Sequence, residues 1–207
     1  RAVEEILARG GADLFDIVMF GEEPYGNYNR ILLSDVLNGS HEEADIFLNP
    51  LAWYAEHGIK LHAGVPVLKI LRHARTVMGA GGVLEPYDVL IIATGSLPFV
   101  PPIAGARFDD GRIKPGVFFF RNLDDCRNIT SYAMGKKSGA VIGGGLLGLE
   151  AARGLQNFSL DVHVIQRSDV LMSQQLDRPS GLILKKTLED LGIQVHLQKD
   201  TKRVLGD

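Results

Sequence analysis

The chain has 207 residues, 45% hydrophobic and 23% charged, with a net charge of −3, an ordinary globular composition with room for one large or two modest cores. That charge balance leaves no electrostatic footprint for nucleic acid or an anionic membrane surface. One cysteine, Cys126, excludes an internal disulfide, a C-x-x-C redox pair, and any zinc or iron–sulfur site of the usual about four ligands within this stretch.

In chain order, Val3, Ile6 and Leu7 form a short helical stripe that Gly10-Gly11 ends. Phe15 to Phe20 reads as a strand running into Gly21-Glu22-Glu23-Pro24. An acid at the carboxyl end of a second strand is where a dinucleotide fold holds a ribose by its hydroxyls. Taken by themselves, Glu22 and Glu23 read as solvated loop acids before they read as ribose ligands. Tyr25 to Arg30 is a polar aromatic loop, with Ile31 to Leu37 more apolar behind it. Arg30 has the chemistry to meet a phosphate or a flavin ring, and by composition alone is also a plain surface arginine.

Asn49-Pro50 predicts a helix with asparagine at its N-cap and proline in the first turn, ended by Gly58 after His57. Trp53 and Tyr54 within it read as packing residues. Ile59 to His62 and Pro66 to Leu71 read as strands, and Val77-Met78 and Val83-Leu84 flank Gly79 to Gly82 as a hairpin. Tyr87 to Ala93 is an apolar run that predicts a buried strand, delivering a Thr94-Gly95-Ser96 turn. Pro98, Pro101 and Pro102 then forbid a helix, and the segment to Gly116 reads as an inter-domain connection. Asp124 to Met134 reads as helical.

The next stretch carries the most information. Ala140-Val141-Ile142 predicts a buried strand, Gly143-Gly144-Gly145-Leu146-Leu147-Gly148 fits G-x-G-x-x-G, and Leu147, Ala151 and Leu155 then repeat on one helix face. Gly143 permits a tight turn, Gly145 removes a side chain where backbone approaches a pyrophosphate, and Gly148 lets the helix pack close to the strand. Free N–H groups and the helix dipole then face the phosphates. The alternative is a glycine-rich turn that binds nothing. Val162 to Ile165 is the second strand, with Gln166-Arg167 at its end. A helix from about Asp177 carries Leu184, Leu188 and Leu191, and Ile193 to Leu197 is a third strand. Strand, glycine turn, helix, strand, helix, strand is a βαβαβ half of a doubly wound sheet.

The fold expectation is therefore α/β, as two tandem Rossmann-like units over residues 1–110 and 111–207. With ATGSLPFVPPIAG joining them, the chain resembles the two-dinucleotide-binding flavoprotein reductases. That resemblance implies that the first unit is an incomplete FAD-binding domain and the second a partial NAD(P)-binding domain. YNRILLS, WYAEHGIKL, VIGGGLLGLEAARGL and QQLDRPSG make it similar, more narrowly, to the large subunits of NAD(P)H-dependent assimilatory nitrite reductases. Rubredoxin and ferredoxin reductases share most of these motifs singly.

The resemblance implies residue roles. Glu22, with Glu23 as second choice, would bind the FAD ribose; Arg30 and Ser34 would lie along the flavin and its phosphates; Val67 would offer backbone to the adenine. Ala93, Thr94 and Gly95 would pass the pyrophosphate, and the whole turn from Gly143 to Gly148 would bind the nicotinamide dinucleotide. Glu150 would sit near the nicotinamide amide and flavin edge; its alternative reading is a first-turn acid that complements the helix dipole. Where many relatives carry lysine after the loop serine this chain has Asp35, and where an acid often binds the NADH ribose it has Gln166. Glutamine bonds ribose hydroxyls without repelling a 2′-phosphate, and Arg167 could pair with one, or be a surface arginine.

The family's first glycine fingerprint, for FAD pyrophosphate, would precede Arg1. The expected activity is hydride transfer from NAD(P)H to FAD, with electrons passed on to an iron–sulfur and siroheme domain elsewhere in the polypeptide that reduces nitrite. The rival readings are a rubredoxin- or ferredoxin-type reductase and a non-catalytic dinucleotide-binding fragment. Expected partners are the nicotinamide dinucleotide, a redox domain or small subunit of the parent enzyme, and a second copy of the chain as a homodimer; nucleic acid, membrane and resident metal are not expected. No signal peptide is visible and the apolar runs are short, so a cytoplasmic location is the expectation.

Overall fold

The computed structural model describes residues 1–206. Helix α1 (Ala2–Ala8) ends where Gly10 takes φ 76°. Strand β1 (Val18–Gly21) is shorter than the apolar run that predicts it, with Phe15 left 59% exposed ahead of it. Strand β2 (Asn27–Tyr28) leads to the short helix α2 (Leu33–Leu37) and to β3 (Phe47–Asn49). Helix α3 (Leu51–Glu56) follows, then β4 (Lys60–Ala63), β5 (Val67–Leu71), β6 (Thr76–Gly79) and β7 (Leu84–Pro86). Beyond the proline-bearing segment come α4 (Leu123–Ala133), β8 (Ser138–Ile142), α5 (Leu146–Gln156), β9 (Asp161–Ile165), α6 (Arg178–Asp190) and β10 (Gln194–His196).

These elements form two compact units that interleave in sequence. One comprises Arg1–Asn29 and Phe47–Gly95; the other comprises Arg30–Ile46 and everything described from Ser96 onward. In the first unit, β1 and β4 pair in parallel with Val18 opposite Lys60 and Gly21 opposite Ala63. Antiparallel β2 and β3 form a second small sheet, and β5–β6–β7 an antiparallel three-stranded one. The helix after Pro50 is capped differently from expectation. Pro50 occupies the N-cap without a side-chain bond, because Asn49 is the last residue of β3, buried, and its amide oxygen accepts from Asn27 Nδ2 at 3.3 Å. Tyr54 is buried and its hydroxyl accepts the Asn27 N–H at 3.1 Å.

The apolar run before Thr94 corrects another expectation. Val89, Ile91 and Ile92 are 77%, 63% and 67% exposed, and residues 87–96 form no strand. A hydrophobic run specifies that it should be covered on both faces, not which ladder covers it. Within this unit neither the β1–β4 pair nor the β5–β7 sheet extends to it.

The second unit contains the predicted βαβαβ half-sheet. Strand order is β10–β9–β8, all parallel, with Ala140 opposite His163 and Ile142 opposite Ile165. Alternation in β9 buries Val162 and Val164 completely, and these pack with Leu149, Ala152, Leu171, Leu188, Ile193 and Val195. Each of the valine, leucine and isoleucine side chains contributes about 1.5–3 kcal/mol of burial. Helix α6 is capped by Asp177, whose carboxylate accepts the Ser180 N–H at 2.9 Å, and stops where Gly192 takes φ 88°.

The buried face of α5 matches the predicted one in part: Ala151 is buried and Leu155 packs against the core, but Leu149 and Ala152 are its main contacts and Leu147 is 52% exposed. A second face of the helix receives α2. An ideal Cβ on Gly154 would lie 2.7 Å from Leu37, so glycine there sets how closely the two helices approach. Helix α4 also packs on α2. It begins with a capping box, Asn122 Oδ1 accepting from Asp125 N at 2.8 Å and the Asp125 carboxylate accepting from Asn122 N at 3.1 Å.

Candidate dinucleotide-binding site

The glycine turn between β8 and α5 is built by hydrogen bonds on one side and left open on the other. Gly143 takes φ 113°, a conformation that favours glycine, and its N–H donates to Ile165 O at 2.9 Å, prolonging the sheet by one step. Gly144 is buried; a Cβ there would lie 2.4 Å from Leu171 Cδ2. Its N–H donates to Gln166 Oε1 at 2.9 Å and its carbonyl accepts from Met172 N at 2.9 Å. Gly145 is the N-cap of α5 and makes no side-chain cap bond. An ideal Cβ on Gly145 meets nothing within 4 Å, whereas one on Gly148 would lie 2.2 Å from the Gly143 carbonyl oxygen.

These positions thus differ in what they require. Gly148 is needed for helix and turn to touch, and Gly145 borders open space. Leu149 N to Gly145 O, at 3.0 Å, is the first helical bond, so the amides of Leu146, Leu147 and Gly148 precede the intrahelical ladder. With the helix dipole behind them they suit a pyrophosphate. Residues 145–147 are exposed, Leu146 at 59%. The donor set and the open approach fit a nicotinamide dinucleotide.

Glu150 lies one turn further along α5. It is half-buried, and its carboxyl is raised above the ordinary range, first by desolvation and then by the Asp35 carboxylate. Gln166, at the end of β9, has both ends of its carboxamide engaged: Oε1 accepts from Gly144, and Nε2 donates to Ser168 Oγ and Val170 O. Arg167 is exposed and makes no ion pair among the described residues.

The other expected residues fall as follows. In the first unit, Glu22 is exposed just past β1, while Glu23 is not a free loop acid, because it accepts the hydroxyl of buried Tyr28. Val67 opens β5 opposite Gly79. Ala93, Thr94 and Gly95 are exposed and irregular, Gly95 with φ 69°. In the second unit, Arg30 Nη1 donates to Arg121 O at 3.1 Å, and Ser34 Oγ lies 3.4 Å from Ile31 O. Arg121, which the motifs do not single out, donates through Nε to Ser96 O at 2.7 Å. Glu22 and the uncovered backbone at 93–95 offer acceptors and donors suited to FAD. Among the described residues no group of three His, Cys, Asp or Glu could hold a metal, and no helix is long and apolar enough to cross a membrane.

A family model, pyridine nucleotide-disulphide oxidoreductase, matches residues 5–207. The chain belongs to that family. Its α/β fold agrees with that of solved oxidoreductases. An engineered water-forming NADPH oxidase, derived from the NADH oxidase of Lactobacillus brevis and bound to NADPH, superposes with a TM-score of 0.87 at 22% identity. That match covers all of this chain and 45% of the oxidase. Among curated relatives, a nitrite reductase [NAD(P)H] of Bacillus subtilis is 46% identical over 207 residues. An assimilatory nitrate reductase electron transfer subunit of the same organism is 44% identical over 206. Both matches cover 100% of this chain, which spans about a quarter of either relative's length.

Proposed function

We propose that this chain is the electron-entry module of an assimilatory NAD(P)H nitrite reductase. The observation that carries the reading is the turn at Gly143–Gly148, with an open approach at Gly145 and helix amides aimed past it. The identity to nitrite reductase and nitrate reductase electron-transfer chains supports the nitrite assignment.

In this reading residues 111–207 hold NAD(P)H. The amides of Leu146, Leu147 and Gly148 bind its pyrophosphate, and Gly144 keeps the turn closed against Leu171. Glu150 accepts from the nicotinamide carboxamide and so orients the ring. Residues 1–110 serve FAD: Glu22 by its ribose, with Glu23 held back by Tyr28, Val67 by the adenine, and Ala93-Thr94-Gly95 by the pyrophosphate. Arg30 and Ser34 contribute charge and a hydroxyl to the flavin and its phosphates. Bound FAD supplies the chemistry of accepting a hydride and releasing electrons onward. The chain itself needs neither nucleophile nor metal for this step; its task is to bind and orient. Onward transfer goes to an iron–sulfur and siroheme domain or subunit of the parent enzyme, with a cytoplasmic location and a homodimer as further parts of the proposal.

The test is spectroscopic. The chain is titrated with FAD and then mixed with NAD(P)H without oxygen, and the flavin absorbance near the visible band is followed. Uptake of flavin followed by bleaching supports the module. Flavin binding without bleaching by either dinucleotide would defeat it.

A further inference from the structure

The end of β9 carries a feature that deepens the dinucleotide reading and rests on it: the geometry assigns Gln166 as a positioning residue and leaves selection at the adenosine ribose to Arg167. We infer that the site favours a dinucleotide bearing a 2′-phosphate.

The orientation of the Gln166 carboxamide is fixed by its partners. Gly144 N–H can only donate and Val170 O can only accept, so Oε1 must face the glycine turn and Nε2 the segment after β9. Ser168 completes the arrangement, accepting from Nε2 and donating to Val170 O at 2.7 Å. One side chain therefore ties the phosphate-binding turn to residues 168–170. Since Gly144 is buried, its N–H has no solvent to replace that acceptor.

A carboxylate could accept from Gly144, but it could not donate to Val170 O. With its amide committed in both directions, Gln166 has little left to offer ribose hydroxyls. No negative charge stands in their place.

The remaining charges at this end of the sheet are mainly positive. Arg167 is exposed and makes no ion pair among the described residues. Lys199, whose backbone N–H donates to Gln166 O at 3.1 Å, is exposed as well. Asp169, the acid of the 166–170 segment, is bound to Arg178 at 2.9 Å, which leaves exposed Asp200 as the other acid nearby. A guanidinium next to the ribose position suits a phosphate dianion, which it can bind through paired N–H groups.

The experiment uses two small probes, adenosine 5′-monophosphate and adenosine 2′,5′-bisphosphate, titrated calorimetrically into the 207-residue chain, with NADPH as a reference ligand. The bisphosphate should bind roughly tenfold tighter, the range of a hydrogen bond to a charged group. Arg167→Ala should abolish most of that ratio. Gln166→Ala should weaken both probes by a similar factor and keep the ratio, with circular dichroism melting to confirm that the variant is folded. Gln166→Glu, which keeps the Gly144 acceptor and adds a charge, should lower the ratio while restoring monophosphate binding.

Equal affinity of the two probes for the parent chain would overturn the inference while leaving the dinucleotide reading intact. So would a ratio that survives Arg167→Ala, or one that Gln166→Ala alone erases. Failure of both probes and of NADPH to bind would instead remove the dinucleotide reading itself.

Discussion

His62 Nε2 lies 2.7 Å from Glu85 Oε1, joining the parallel β1–β4 pair to the antiparallel β5–β7 sheet within the first unit. Lys60 Nζ reaches the same oxygen at 2.5 Å, and His62 stacks on Phe20 with ring centroids 4.8 Å apart. The Glu85 carboxyl is held below its usual range, chiefly by the Lys60 bond and then by His62. A depressed folded-state value means that the contribution to stability is complete above the unfolded value. It is lost as pH falls through the folded one. Glu85→Gln should therefore flatten the stability profile below about pH 4, measured by denaturant unfolding at a series of pH values. An unchanged acid limb would show that the contact does not couple the two sheets.

Gly145 and Gly148 make a matched pair of substitutions. Gly145 has φ −87° and open space beyond it, so Gly145→Ala should leave thermal unfolding nearly unchanged and weaken NAD(P)H binding about tenfold or more, by intruding on the pyrophosphate approach. Gly148→Ala would set a methyl group 2.2 Å from the Gly143 carbonyl oxygen and should lower stability by about 1–3 kcal/mol. Calorimetric titration and melting curves together separate the two effects. A Gly145→Ala chain that binds as well as its parent would remove the phosphate role from that position.

Much of this site was legible because glycine, proline and β-branched residues constrain backbone directly. The order of β8, the turn, α5, β9 and α6 follows from such local signals, and Asp177 caps α6 where the sequence puts a helix start. What was not legible depended on partners far along the chain. Nothing in Tyr87 to Ala93 tells which strand would cover it, and it lies uncovered. Asn49 looks like a cap by composition, yet a strand pairing with Asn27 claims it. Gln166 reads as a ribose ligand by position, but its carboxamide is already bonded across 22 residues to Gly144. Glu23 likewise reads as a solvated acid until Tyr28 is seen to reach it.

Glu150 gives a prediction of opposite sign to Glu85. Its carboxyl is raised by desolvation and by Asp35, so the folded chain holds the proton more tightly than the unfolded one, and stability falls as pH rises through that interval. Glu150→Gln, a mimic of the protonated form, should be slightly more stable at neutral pH, by less than about 1 kcal/mol after screening. The gain should vanish in acid. Destabilisation at neutral pH would mean that the ionised carboxylate has a favourable partner.

Cys126 is buried on α4, with Sγ 3.6 Å from Leu33 O, and burial together with Asp125 and Glu43 pushes its thiol up to about 12. The native chain should resist a water-soluble thiol reagent at pH 8, and labelling should track unfolding in denaturant. Cys126→Ala should cost about 1–2 kcal/mol from the small cavity it leaves. Rapid labelling without denaturant would show that α4 opens locally.

Helix α2 has a consequence for how the molecule is made. It leaves the ribosome about a hundred positions before α5, the helix whose Gly154 receives Leu37. At ordinary translation speeds the nascent chain waits roughly 5–20 seconds between the two. Until α4 and then α5 have been made, Leu33 and Leu37, both buried in the finished protein, lack the helices that pack on them.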